Sequence, residues 1–121
     1  MAKEYNAMNI IDVNTAVNAD WQATDARRGD RICTEVVWDS RFARCTQIEV
    51  IDPDGELQVI KGRGFYRHKY GFAAWYSEFT VGKAGKWAIV AKLKVGLVTL
   101  DEMTVDIPVA ALTCPNCGFE L

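Results

Sequence analysis

Histidine is almost missing from this chain and proline is scarce, with one His and three Pro in 121 residues. The single imidazole, His68, has no orienting partner visible in the sequence, and Ser40 and Ser77 lack a Gly-x-Ser-x-Gly setting. No nucleophile, base and oxyanion site assemble from these residues, so the chain reads as a non-enzyme. A basic excess is missing as well. The 14 Lys and Arg are outnumbered by 16 Asp and Glu, for a net charge of -2, which argues against a general nucleic-acid binder. No apolar run approaches the ~18 residues of a membrane span. The opening Met1-Ala2-Lys3-Glu4-Tyr5-Asn6 lacks the basic-then-apolar order of a signal peptide. That fits a cytoplasmic or virion protein, and equally a mature form whose leader has been removed. Cysteine, at Cys33, Cys45, Cys114 and Cys117, is too sparse for a disulfide scaffold in a chain of this length. There is no internal repeat and no low-complexity linker.

What is present describes one globular domain. Half the residues are apolar and a quarter are charged, and a chain of this size buries roughly two-thirds of its unfolded surface without needing a staple. The main pattern is period two, the signature of a strand with one buried face. Trp87, Ile89, Ala91, Leu93 and Val95 alternate with Lys86, Ala88, Val90, Lys92 and Lys94. Met103, Val105 and Ile107 alternate with Glu102, Thr104 and Asp106, and Trp75, Ser77, Phe79 and Val81 with Ala74, Tyr76, Glu78 and Thr80. Ile48 and Val50 alternate with Gln47, Glu49 and Ile51. In the β-rich run from Ile32 to Trp38, the adjacent Val36 and Val37 suggest cover on both faces. Asp52-Pro53-Asp54-Gly55 predicts a hairpin turn, because Pro pre-sets the second position and Gly takes the left-handed one. Gly62 and Gly64 bracket another bend, Gly96 ends or bulges a strand, and Pro108 closes the last one. Met8–Val13 reads as an edge strand, and Thr15–Ala26 as a loop or a single helical turn. About six to eight strands at this spacing predict an all-β sandwich. The expected layout is an N-terminal arm or edge strand over 1–30, the sandwich over 31–108, and an extended Cys-containing tail over 109–121.

Two stretches carry a family resemblance. Arg28-Gly29-Asp30-Arg31-Ile32 resembles the Gly-Asp opening before a strand in prokaryotic and phage immunoglobulin-like domains. Phe79-Thr80-Val81-Gly82-Lys83-Ala84-Gly85-Lys86-Trp87-Ala88-Ile89 resembles their strand, Gly, Gly-x-Trp, strand hairpin. The resemblance spans residues 28–107 and implies an immunoglobulin-like antiparallel β-sandwich of about seven strands with Trp87 between the sheets. It implies fold and not function, and the Cys-containing tail departs from it.

Four constellations bear on chemistry. Cys114-Pro115-Asn116-Cys117-Gly118 resembles half a zinc-ribbon knuckle, since two thiolates two residues apart reach one tetrahedral Zn²⁺. A closed site needs further ligands from Cys33, Cys45 or a second chain, and the plain alternative is a pair of free or disulfide-bonded thiols. Lys61–Phe72 holds four formal cations and four aromatic rings around His68, a mixture that suits stacking on single-stranded nucleic acid. Its plain alternative is a packed strand edge with solvated charges. Arg28-Gly29-Asp30 spells an integrin-binding tripeptide but serves more simply as a turn. Asp52, Asp54 and Glu56 offer spaced oxygens for Ca²⁺ but lack the fuller run of a calcium loop. Glu102 and Asp106 are about 13 Å apart along a strand, too far to share a proton.

The expected role is therefore a non-catalytic structural or interaction module. It would be a subunit of a homo-oligomer or larger assembly, of the virion decoration, capsid-associated or fibre type. Trp21, Trp38, Tyr66 and Tyr70 are candidate exposed anchors, with core packing the rival assignment for each Trp. The alternatives are a zinc- or thiol-based module acting through Cys114 and Cys117, and a carbohydrate or single-stranded nucleic-acid binding domain. The latter would use Phe65, Tyr66, Arg67, His68, Lys69 and Tyr70.

Overall fold

The computed structural model describes residues 9–39, 42–67 and 72–111, with 64–67 described through their backbone. These residues form nine strands and no helix: β1 (Asn9–Val17), β2 (Ala26–Arg27), β3 (Arg31–Asp39), β4 (Gln47–Ile51), β5 (Leu57–Lys61), β6 (Arg63–Arg67), β7 (Ala73–Thr80), β8 (Gly85–Val95) and β9 (Val98–Ala110). None of the described residues belongs to a helix long and apolar enough to cross a membrane. The strands make two sheets, a first ordered β1-β3-β7-β6 and a second ordered β2-β9-β8-β4-β5. Neighbours are antiparallel except β2 and β9, which run parallel over Ala26–Val109 and Arg27–Ala110. The second sheet is therefore mixed.

The alternating residues face a core shared by the two sheets, because each sheet must bury its apolar face against another layer. Ile32, Val36, Trp38, Trp75 and Phe79 come from the first sheet; Ile48, Val50, Trp87, Ile89, Ala91, Leu93, Ile107 and Val109 come from the second. Trp87 is buried there as expected, its indole N–H donating to the Lys83 carbonyl at 2.9 Å, and it lies against Phe79 with ring centroids 6.3 Å apart. Trp38 is buried too, its N–H donating to the Ala43 carbonyl at 3.0 Å. The expectation of Trp38 as a surface anchor is thus corrected: at the end of β3 it points inward in phase with Ile32 and Val36. Val36 and Val37 are both buried, so β3 is covered on both faces, as their adjacency suggested.

The Asp52-Pro53-Asp54-Gly55 turn joins β4 to β5 as predicted. Gly55 has φ 86° and donates to the Asp52 carbonyl, while the Asp52 carboxylate accepts from the Asp54 and Glu56 amides. Gly62 marks the point where the chain leaves β5 in the second sheet for β6 in the first. A Cβ there would overlap the Trp75 ring and the Tyr76 carbonyl, so this close approach requires glycine. Gly96, at φ 59°, turns β8 into β9.

Three expectations change. The Phe79–Ile89 segment is not a hairpin, because β7 and β8 lie in different sheets. Its connection is drawn across by buried Val81, whose backbone bonds Gly29 and Asp30 at the entrance to β3. Thr15–Ala26 is neither one loop nor a helical turn. Its first residues continue β1 to Val17, which pairs with β3 down to Val17–Ile32. A turn follows in which Asn18 and Ala19 take φ 50° and 70°. Finally, Pro108 does not close β9, since Val109 is buried in the core and Ala110 pairs with Arg27.

Candidate functional site

The residues singled out in the sequence are dispersed by the fold. Cys114 and Cys117 lie outside the described residues, as do His68, Lys69 and Tyr70. Cys45 is a core residue whose S–H donates to the Gln47 carbonyl at 3.5 Å, and burial pushes the thiol up to about 11. Cys33 alternates with core-facing Ile32 and Thr34, so it stands half-buried on the outer face of the first sheet. Burial, with Glu78 and Glu35 nearby, raises its pKa as well. A protonated thiol is a poor metal ligand and nucleophile, and these two thiols occupy separate environments. Among the described residues no three His, Cys, Asp or Glu side chains converge on a common point.

The basic and aromatic stretch is divided. Lys61 ends β5 in the second sheet, whereas Arg63 begins β6 at the edge of the first. Phe65, Tyr66 and Arg67 continue β6, paired with Trp75, Ala74 and Ala73. The cations that looked contiguous in sequence therefore start on two different sheets. The Arg28-Gly29-Asp30 tripeptide is a turn. Gly29 has φ 97°, and the Asp30 carboxylate accepts from the Arg27 amide and from Asn18 Nδ2, which hold it below its ordinary pKa. Asp52 and Asp54 both accept from Lys83 Nζ at 2.8 Å, so this acidic turn is already paired with a cation.

What the structure brings forward instead is the end of the β8–β9 hairpin. The register shifts between Leu93 and Lys94, and beyond that bulge the two strands continue as a ribbon through Lys94–Thr99 and Val95–Val98. Leu97 at the tip is 95% exposed, Val98 61%, Val95 42% and Leu100 39%. Phe42, in the β3–β4 connection, is 76% exposed. It shares a hollow of about 380 Å³ with Arg44, Lys94 and Gly96. The connection is tied to the ribbon by reciprocal backbone bonds between Arg44 and Lys94, both 2.9 Å. The ribbon and Phe42 thus present apolar side chains at one end of the molecule, beside Lys92 and Lys94 and an ion pair of Lys92 with Glu49 at 3.1 Å.

Chemically this surface can exclude water and offer backbone edges. Trp21 is the one tryptophan named as an anchor that is exposed, at 43%, and it stands elsewhere, on the outer side of the first sheet. Leu97, Val98 and Phe42 were missed in the sequence. The usable clue was Val95-Gly96-Leu97-Val98, an apolar string wrapped around a glycine turn where turn residues are ordinarily polar. No protein-family model matches the chain, and no curated protein matches it in sequence.

Proposed function

We propose that the protein is a non-catalytic interaction module of immunoglobulin-like sandwich fold, acting as a self-associating subunit of a larger assembly of the virion decoration, capsid-associated or fibre type. The strand order supports the fold reading. With β1, β3, β7 and β6 taken as A, B, E and D, and β9, β8, β4 and β5 as G, F, C and C′, the order is the one an immunoglobulin-like sandwich requires, which supports that reading. β2 is then the short segment that switches sheets to run beside G.

The observation that carries the functional reading is the exposed apolar tip of Val95, Leu97, Val98 and Leu100. Burying one such side chain stabilises a contact by about 1.5–3 kcal/mol, so leaving several in water at one end favours a partner there. An aliphatic tip rimmed by lysines suits a protein surface with matching apolar pockets and acidic neighbours. Sedimentation velocity tests the reading. The wild-type chain should form species heavier than the 13.5 kDa monomer as concentration rises, and Leu97→Asp should return it to monomer with unchanged circular dichroism. A wild-type chain that stays monomeric at the highest soluble concentration contradicts self-association.

A further inference from the structure

We propose that the hollow on the outer face of the first sheet binds a quaternary ammonium group in the corner formed by Trp21, Tyr76 and Glu35. Asn14 in β1, Glu35 in β3 and Tyr76 in β7 are register partners, so their side chains form one row across three strands. Asn14 Nδ2 donates to Glu35 Oε1 at 2.8 Å, and Tyr76 Oη donates to Glu35 Oε2 at 2.5 Å. Both donors are neutral, so the carboxylate is held in place without a charged partner in these two bonds, and Arg63 follows Tyr76 in the same row.

Trp21 stands beside this row. Its turn is closed by reciprocal backbone bonds between Val17 and Asp20, and the Asp20 carboxylate accepts from the Gln22 amide at 2.9 Å. The indole meets the Tyr76 ring edge-on, with centroids 6.4 Å apart and planes at 82°. Trp21, Tyr76 and Glu35 line one open hollow of about 720 Å³, together with Asn14 and Gln22. An aromatic face and a carboxylate in one hollow both present negative potential to a ligand. A trimethylammonium group spreads its charge over methyl groups and donates no hydrogen bond. It can therefore lie against π faces and a carboxylate whose oxygens already have donors. A neutral sugar would bring no positive charge to the rings and the Glu35 carboxylate. The same chemistry occurs in a choline headgroup and in a trimethylated lysine side chain, and the hollow is large enough for either with part of its attached chain.

The test is an NMR titration of the full chain, following the Trp21 indole N–H assigned by its loss in Trp21→Phe. Choline chloride and free Nε-trimethyl-lysine are the probes, at matched ionic strength. The neutral isostere 3,3-dimethylbutan-1-ol and methyl β-glucoside are the controls. A saturable shift with the cations and none with either control is expected, and the tighter of the two cations identifies the source. Glu35→Gln should weaken binding roughly tenfold, and Trp21→Ala should abolish shifts at neighbouring Gln22 while leaving the remaining spectrum in place. No saturable shift, an equal response to the neutral isostere, a response to the glucoside alone, or unchanged affinity in Glu35→Gln would each overturn the proposal. Leu97→Asp leaves this site intact, so the outcome is independent of the assembly reading.

Discussion

Leu93 and Leu97 are four residues apart in one hairpin, yet one is fully buried and the other is 95% exposed. Between Lys86 and Leu93 the inward side chains of β8 meet the opposing sheet, and the outward ones include Lys86 and Lys92. From Val95 to Leu100 the same pair of strands runs on with its apolar residues exposed. Residue type does not distinguish these halves. What differs is whether a second layer stands opposite, because the free energy of burial belongs to the area removed from water and not to the side chain itself. An apolar residue that lacks its opposing layer within the chain is available to a surface outside it.

That contrast breaks most sharply on a matched pair of substitutions. Leu93→Ala should destabilise the fold by about 2–5 kcal/mol, whereas Leu97→Ala should change it by less than about 0.5 kcal/mol; urea denaturation of both decides. Equal effects would mean that the tip is part of the core. Gly62→Ala tests the crossing between sheets. The new methyl meets the Trp75 ring and a backbone carbonyl, so a loss of about 1–3 kcal/mol is expected from overpacking.

A smaller effect separates the two turns that leave β1 and β4. Gly55 supplies the left-handed position of the second, but Ala19 holds φ 70° in the first. A left-handed alanine costs about 1–2 kcal/mol, so Ala19→Gly should raise stability by up to about 1 kcal/mol, read as a higher denaturation midpoint.

The thiols give a further comparison, through pH. Burial pushes the Cys45 thiol up to about 11 in the folded state, from an ordinary value of 9.0. Its folded pKa is raised, so its contribution to stability is complete below about 9 and is lost progressively as pH rises towards 11. Cys45→Ala should flatten that alkaline decline. Iodoacetamide at mildly alkaline pH should label half-buried Cys33 before Cys45, and mass spectrometry of tryptic fragments gives the order.

Much of the framework was readable in advance where a local rule governs it. The alternation in β8 and β9 announced which residues face the core, and Asp52–Gly55 announced its hairpin, because pleat and turn conformation act over a few neighbouring residues. Trp38 stayed open between anchor and core because an indole at a strand end has the same sequence signature whether it turns inward or meets solvent. The Phe79–Ile89 hairpin was misjudged because a short glycine-containing link serves equally well within a sheet or between sheets. The Asn14–Glu35–Tyr76 row was invisible for a related reason: strand register joins residues 21 and 41 positions apart, and no local pattern encodes it.

By itself the amino-acid order determined that this chain would be pleated, where it would turn and which side of each strand would be apolar, since those depend on period two and on the conformations open to Gly and Pro. Only the tertiary structure decided which sheet each strand joined, that Trp38 would be enclosed, that Leu97 would be left in water and that Trp21 would stand beside Glu35. Those outcomes depend on contacts between residues far apart in the chain, whose free energy exists only once both layers are in place.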